Sequence, residues 1–147
     1  MGLSHIKACL FDEEPDAIRE IRDRVFALEQ GIDPALDWDG KDSQCVHFLA
    51  YCEQQAVAVL RLREIEQHDT PHLKLERLAV LADQRRQGIG SELVSTAIAY
   101  AKEQGYRSMI LNAQIQSLPF YQSLGFQSEG DRFEEAGIPH IKMWREL

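Results

Sequence analysis

The chain has 147 residues, 44% of them hydrophobic and five of them proline, enough to bury an apolar core in one compact domain without covalent staples. Its formal net charge is -8 and no stretch is dense in Lys or Arg, which disfavours a surface built to track nucleic-acid phosphates or to dock on an anionic membrane. Cys9, Cys45 and Cys52 are odd in number, form no C-x-x-C pair and lie in apolar strand-like runs; they read as buried reduced thiols, not as a disulfide framework.

The apolar stretch over 6–11 is interrupted by Lys7 and followed by Asp12, Glu13 and Glu14, too short for a signal sequence or a membrane span. Met1-Gly2 also lacks the Ser or Thr at position 6 that myristoylation requires, so the expected location is the cytoplasm. The same stretch predicts a first strand. A helix is expected over 16–30, where Ile18, Ile21, Val25 and Leu28 recur at helical spacing as a core stripe and Gly31 supplies the stop. An acidic loop over 33–42 follows, with Pro34, Trp38 and Gly40. Two apolar runs, 45–52 and 56–65, then flank Glu53-Gln54-Gln55 and read as a hairpin.

A polar link containing Pro71 leads to a strand over 72–80. Ile89, Leu93, Val94, Ala97, Ile98 and Ala101 form the buried stripe of the next helix, which Gly105 ends. A strand over 108–113, a short helix over 117–124 closed by Gly125, and strands over 126–133 and 138–144 complete the order βαβββαβαββ. No linker, low-complexity tract or internal period divides the chain, so a single domain over 1–147 is expected.

Chemistry is suggested where the strand ending at Val80 meets the helix opening near Ile89. The run Leu81-Ala82-Asp83-Gln84-Arg85-Arg86-Gln87-Gly88-Ile89-Gly90-Ser91 is a glycine-bearing turn feeding a helix N-terminus. First-turn amides there have no intrahelical partners and the macrodipole adds partial positive charge. Gly88 and Gly90 remove side chains that would hold a pyrophosphate off the backbone, while Arg85 and Arg86 add full charges. Two glycines alone are also explained by an ordinary turn and cap. A dinucleotide fingerprint would need a small residue where Leu93 stands, and a nucleotide P-loop would need Gly-Lys-Ser/Thr; neither is present.

The residues do resemble the signature of the GNAT superfamily of N-acetyltransferases, Gln/Arg-x-x-Gly-x-Gly/Ala, matched by Arg85-Arg86-Gln87-Gly88-Ile89-Gly90 after a strand and before a helix. A second segment agrees: Leu111-Asn112-Ala113-Gln114 with Pro119-Phe120-Tyr121-Gln122-Ser123-Leu124-Gly125-Phe126 is similar to the family's fifth strand and its Phe-Tyr-x-x-x-Gly-Phe helix. Arg24-Val25-Phe26, Glu29-Gln30-Gly31 and the closing run from Glu135 to Met143 look like the small bacterial ElaA-like and YjcF-like branch.

The resemblance implies a mixed α/β fold, a mostly antiparallel central sheet flanked by helices and splayed between strands four and five. It also implies acetyl-CoA as co-substrate, no metal, and a small-molecule or peptide amine as acceptor; dimers are common among such proteins. Cofactor contacts would come from backbone groups of Leu78, Ala79 and Val80 and from Arg85, Arg86, Gln87, Gly88, Ile89, Gly90 and Ser91, with Asn112 and Tyr121 near the thioester. The chemistry is direct attack of a neutral amine on the thioester carbonyl.

Tyr121 is the candidate donor to the leaving thiolate, although packing beside Phe120 and Phe126 would also account for it. The backbone N–H of Val80 is a candidate to polarise the carbonyl. For the base, Glu76 comes first, provided a neighbour raises its pKa; an ordinary ion pair with Arg77 or Lys74 is the alternative. His140 comes second, an imidazole whose approach is set by the preceding Gly-Ile-Pro, against the alternative of a merely structural histidine. Trp38, Asp37, Asp39 and Asp42 either line an amine pocket or form a solvated turn.

His68 and His72 are spaced i,i+4, but Pro71 between them prevents the helix that would align them on a metal. No Gly-x-Ser-x-Gly elbow is present, and Cys45 and Cys52 lack a basic setting, so covalent catalysis is not indicated. The competing function is a binding module that senses acyl-CoA without turnover; a purely structural domain is a third reading.

Overall fold

The computed structural model describes residues 2–147. Seven strands form one sheet in the order β1-β2-β3-β4-β5-β7-β6: β1 (His5–Leu10), β2 (Val46–Cys52), β3 (Gln55–Gln67), β4 (Thr70–Val80), β5 (Ser108–Gln114), β6 (Gln127–Glu135) and β7 (Ile138–Glu146). All neighbours are antiparallel except β4 and β5, which run parallel. The helices are α1 (Pro15–Arg22), α2 (Pro34–Asp37), α3 (Ile89–Glu103) and α4 (Leu118–Ser123). This is the mixed, mostly antiparallel, helix-flanked sheet expected from the resemblance.

The long apolar run of β3 follows from burial on both faces. Phe48 and Leu60 are register partners, and Phe48 meets Tyr100 of α3 edge to face at 5.4 Å. On the opposite face His47 and Arg61 are partners, and both reach Asp42, which also holds Arg22 of α1. Helices covering both sides leave β3 no solvent face, so strict alternation disappears from its sequence.

Two expectations are corrected. The helix expected over 16–30 changes character after Arg22: residues Asp23–Glu29 form a π-helical stretch, in which Gln30 N–H bonds to the Val25 carbonyl at 3.0 Å. Each wider turn takes one more residue, so the stripe rotates. Ile18, Ile21, Val25 and Phe26 are buried, whereas Leu28 is 80% exposed. The polar link near Pro71 is in fact a hairpin: β3 and β4 continue to Gln67 and Thr70, joined by His68 and Asp69 with φ of 53° and 61°. Two consecutive left-handed residues match the right-handed strand twist.

Candidate active site

The site begins with a defect in β4. Register partners run Val59↔Ala79 and then Arg61↔Glu76, two steps on β3 against three on β4, so β4 carries one extra residue. Arg77 takes it up with φ of 59°, a conformation costing about 1–2 kcal/mol for a residue with a side chain. Its guanidinium is fastened in compensation: Nε donates to Asp37 Oδ1 at 2.9 Å and Nη2 to the carbonyls of Leu36 and Asp37 at 3.3 and 3.2 Å. The bulge adds local twist, and β4 pairs with β5 only at Leu73↔Met109 and Lys74↔Ile110 before the two diverge.

Backbone groups are left facing that opening. Leu81 N–H donates to the Val57 carbonyl at 2.9 Å, so alternation directs the polar groups of Ala79 to β3 and those of Leu78 and Val80 to the opening. Arg85 Nε, bonding the Val80 carbonyl at 2.9 Å, reports the same side. Of the three backbone contacts implied by resemblance, Ala79 is therefore already committed to the sheet.

The glycine turn follows immediately. Arg86 and Gly88 have φ of 64° and 80°, and Gly88 is the N-cap of α3 with no side chain to bond the first-turn amides. Left-handed residues interspersed in such a turn gather N–H groups into an anion-sized concavity. Glycine is required at 88 by its φ. At 90 a Cβ would lie at ordinary contact from Phe120 Cζ, 3.5 Å, so packing does not demand glycine there. Arg85 is not a free charge: it is bidentate to Glu29 at 2.5 and 2.7 Å, stapling the turn to the π-helical stretch.

A cavity of about 420 Å³ occupies the opening between β4 and β5. Tyr121 lines it, 8% exposed, with its ring edge to face against Phe120 at 5.0 Å and Phe126 at 5.8 Å. Its hydroxyl has no hydrogen-bond partner among the described residues, and burial pushes the phenol well above its usual pKa, keeping it protonated.

His140, 6% exposed, lines the same cavity with its Nδ1 at 2.6 Å from the Ile138 carbonyl. A carbonyl only accepts, so Nδ1 carries the proton and the lone pair lies on Nε2. Glu135 Oε2 stands 3.7 Å from Nε2, and Glu135 Oε1 accepts from Asn112 Nδ2 at 3.2 Å. Asn112, Glu135 and His140 thus form one connected wall.

Glu76 lines the cavity too, but the condition attached to its role as base is not met. Burial alone would push its carboxyl up; hydrogen bonding from Arg63 and the charges of Arg61 and Lys74 outweigh it and hold the group at about 2. Its oxygens lie 3.0 Å from Arg61, 2.9 Å from Arg63 and 3.3 Å from Lys74. It is an ion-pair hub, and its partners include Lys74 but not Arg77.

The acidic loop is likewise no solvated turn. Asp37 and Asp42 are 5% and 8% exposed and grip Arg22, which is fully buried, at 2.8 and 2.6 Å. Arg61, also fully buried, holds Asp39 at 2.7 Å and Asp42 at 3.0 Å. Arg61 holds Asp39 well below the usual carboxylate range; Asp42, despite burial, is held down by His47, Arg22 and Arg61. Trp38 caps the group with its ring 3.9 Å from the Arg22 guanidinium carbon. Sequence reading overlooked this network, although a signal was present: Arg22 falls on the stripe of Ile18, Ile21 and Val25, and Arg61 interrupts an apolar strand.

The remaining candidates lie elsewhere. His72 hydrogen-bonds Ser108, and His68 sits in the β3–β4 turn. All three cysteines are buried thiols, and burial pushes Cys45 up to about 11. No helix among the described residues is long and apolar enough to cross a membrane.

A split parallel pair, an amide-lined turn at a helix start and a buried tyrosine in the cavity of the split come together in a mixed α/β domain, and comparison with known proteins identifies its class. Residues 17–147 match the family model described as acetyltransferase (GNAT) domain. Protein YyaT of Bacillus subtilis is 40% identical over 131 residues, 87% of this chain and 86% of its own. The N-acetyltransferase YjcF of the same organism is 31% identical, with 86% and 88% covered, and ElaA of Escherichia coli is 31% identical, with 89% and 86% covered. The ElaA crystal structure superposes with a TM-score of 0.83 at 27% identity over 97% of this chain and 99% of that one. A GNAT acetyltransferase of Elizabethkingia anophelis with acetyl-CoA bound gives 0.72 at 18% identity, with 97% and 98% covered. The chain belongs to the GNAT acetyltransferases, and so to the acyltransferases, with ElaA and YjcF among its relatives.

Proposed function

We propose that the protein transfers the acetyl group of acetyl-CoA directly to an amine, as one domain working in the cytoplasm. The observation that carries this is the convergence, in one cavity at the β4–β5 split, of the unpartnered Tyr121 hydroxyl and the His140 Nε2 lone pair. The split suits an amide-bearing arm, which the polar groups of Leu78 and the N–H of Val80 would receive as they would a strand, and the turn over 85–91 would receive the pyrophosphate on its amides. Acetyl-CoA brings the electrophile, a thioester carbonyl.

The chain's own groups divide the rest. His140 takes the proton of the amine on Nε2, and Glu135 stabilises the imidazolium so formed. The Val80 N–H faces the opening and donates to the oxygen that gains charge as the C–N bond forms. Tyr121 donates a hydrogen bond to sulfur as the C–S bond breaks; its raised pKa suits it to bonding the thiolate more than to full proton transfer, and the proton that completes the thiol comes from solvent. Glu76, held ionised among arginines, positions β4 and abstracts nothing.

Calorimetric titration with acetyl-CoA, beside a Gly88→Glu variant, tests the reading. Micromolar affinity lost in the variant, together with CoA release that depends on an added amine, is the expected result. A folded wild-type protein that binds no acetyl-CoA would overturn it, and tight binding with no transfer to any amine would favour a sensor.

A further inference from the structure

Behind the β4 wall of the cavity lies a cluster of ion pairs joining α1, β3, β4, the end of α2 and the loop that follows it. Arg22, Arg61, Arg63, Lys74 and Arg77 supply five positive charges, while the carboxylates they pair with, Asp37, Asp39, Asp42 and Glu76, supply four. Each of those carboxylates already meets at least two of the cations, so none is free to receive an incoming ammonium. The spare donors belong to the two cations that line the cavity. Lys74 touches only Glu76, at 3.3 Å, and Arg77 Nη1 has no hydrogen-bond partner among the described residues. These two side chains present unfilled donors to the cavity, and a charged N–H donor is filled best by an anionic oxygen.

The facing wall has the opposite character. Glu135, half exposed, adds a carboxylate beside the His140 lone pair. β4 and β7 flank β5 on its two sides. Lys74 pairs with Ile110 in the last β4–β5 pair before the split, Arg77 lies beyond that pair at the bulge, and His140 pairs with Gln114. Arg77 and His140 both line the cavity, and their strands are two spacings apart, roughly 10 Å before the opening of the split is added. Side chains reaching in from both strands leave room between them for a molecule whose two charges are a few bonds apart.

We propose, building on the acetyltransferase reading, that the acceptor is a small zwitterion, an α- or β-amino acid or a close derivative, with its carboxylate on Lys74 and Arg77 and its amino group between His140 and Glu135. Transfer then forms the N–C bond and breaks the C–S bond, the amine's proton leaves through His140, and the product keeps only its carboxylate.

The test is a turnover panel with the full chain and acetyl-CoA: the standard amino acids and β-alanine, each beside its carboxamide and its decarboxylated amine. The carboxylate member of the best series is expected to exceed the other two by about 10- to 100-fold in kcat/KM, the discrimination available to a charge-assisted hydrogen bond. In Lys74→Gln and Arg77→Lys that ratio should fall to a few-fold, chiefly through KM. Lys74→Gln is the safer variant, because Arg77 also secures the bulge. Carboxamides or plain amines acetylated as well as the acids, or a ratio untouched by Lys74→Gln, would overturn the zwitterion proposal and leave the transferase reading standing. Acetyl-CoA binding with no acid acetylated overturns the zwitterion proposal too, whereas a failure to bind acetyl-CoA overturns both.

Discussion

Tyr121→Phe isolates one atom of the proposed chemistry. The ring's contacts with Phe120 and Phe126 are carbon contacts that phenylalanine repeats, and the hydroxyl bonds nothing within the described protein, so its removal leaves no partner stranded. Stability should change by less than about 0.5 kcal/mol in equilibrium urea unfolding. A hydrogen bond to a charged group is worth about 1.5–3 kcal/mol, which converts to a loss of roughly 10- to 150-fold in kcat with the KM for acetyl-CoA nearly unchanged. Stopped-time detection of the released thiol across pH 6–9 measures it. Because burial raises the phenol's pKa, the wild-type rate should show no alkaline fall attributable to Tyr121 in that window. A kcat within threefold of wild type, in a variant that unfolds normally, would refute the role of this hydroxyl as donor to the leaving sulfur.

His140→Gln keeps a polar side chain but loses the lone pair placed by the Ile138 carbonyl, and should lower kcat about 100-fold or more without weakening acetyl-CoA binding by calorimetry. Arg61→Met takes one buried cation from each of Asp39, Asp42 and Glu76, which keep Arg77, Arg22 and Arg63 respectively, and should cost about 3 kcal/mol in urea unfolding; a loss under about 1 kcal/mol would show the network to be dispensable. Glu76 titrates at about 2 when folded against 4.5 as a free side chain, so its stabilisation is complete above pH about 4.5 and disappears as pH falls towards 2. At about 1.4 kcal/mol per unit, less a discount for shared partners, that contribution is roughly 2–3 kcal/mol. Thermal unfolding between pH 2 and 6 should show a decline that flattens in Glu76→Gln.

Much of the fold was legible because it is encoded locally. Alternating and continuous apolar runs marked the strands, and Gly88-Ile89-Gly90 announced a helix start with no capping side chain. Tyr121 and His140 were found by motif and by chemistry, and they do share one cavity. Leu28 was misplaced because the π-helical stretch takes more residues per turn than the roughly 3.6 the spacing assumes, so Phe26 is buried and Leu28 faces outward. For Glu76 the sequence left base and ion pair open, and found Lys74 but not the other partners, because a carboxylate's pKa depends on residues brought beside it from other strands, here Arg61 and Arg63 on β3.

By itself, then, the sequence determined the order of the strands and of the three longer helices, the family and the glycine turn at the start of α3, all of which rest on patterns among residues near one another along the chain; the short α2 fell in a stretch expected to be a loop. Tertiary structure alone decided how the charges cancel. Arg22, Arg61, Asp37, Asp42 and Glu76 are separated by up to fifty-four positions yet meet in one buried cluster. Such ions tolerate burial only when their partners arrive at hydrogen-bond distance from every side, a condition the folded sheet satisfies and no local pattern can express.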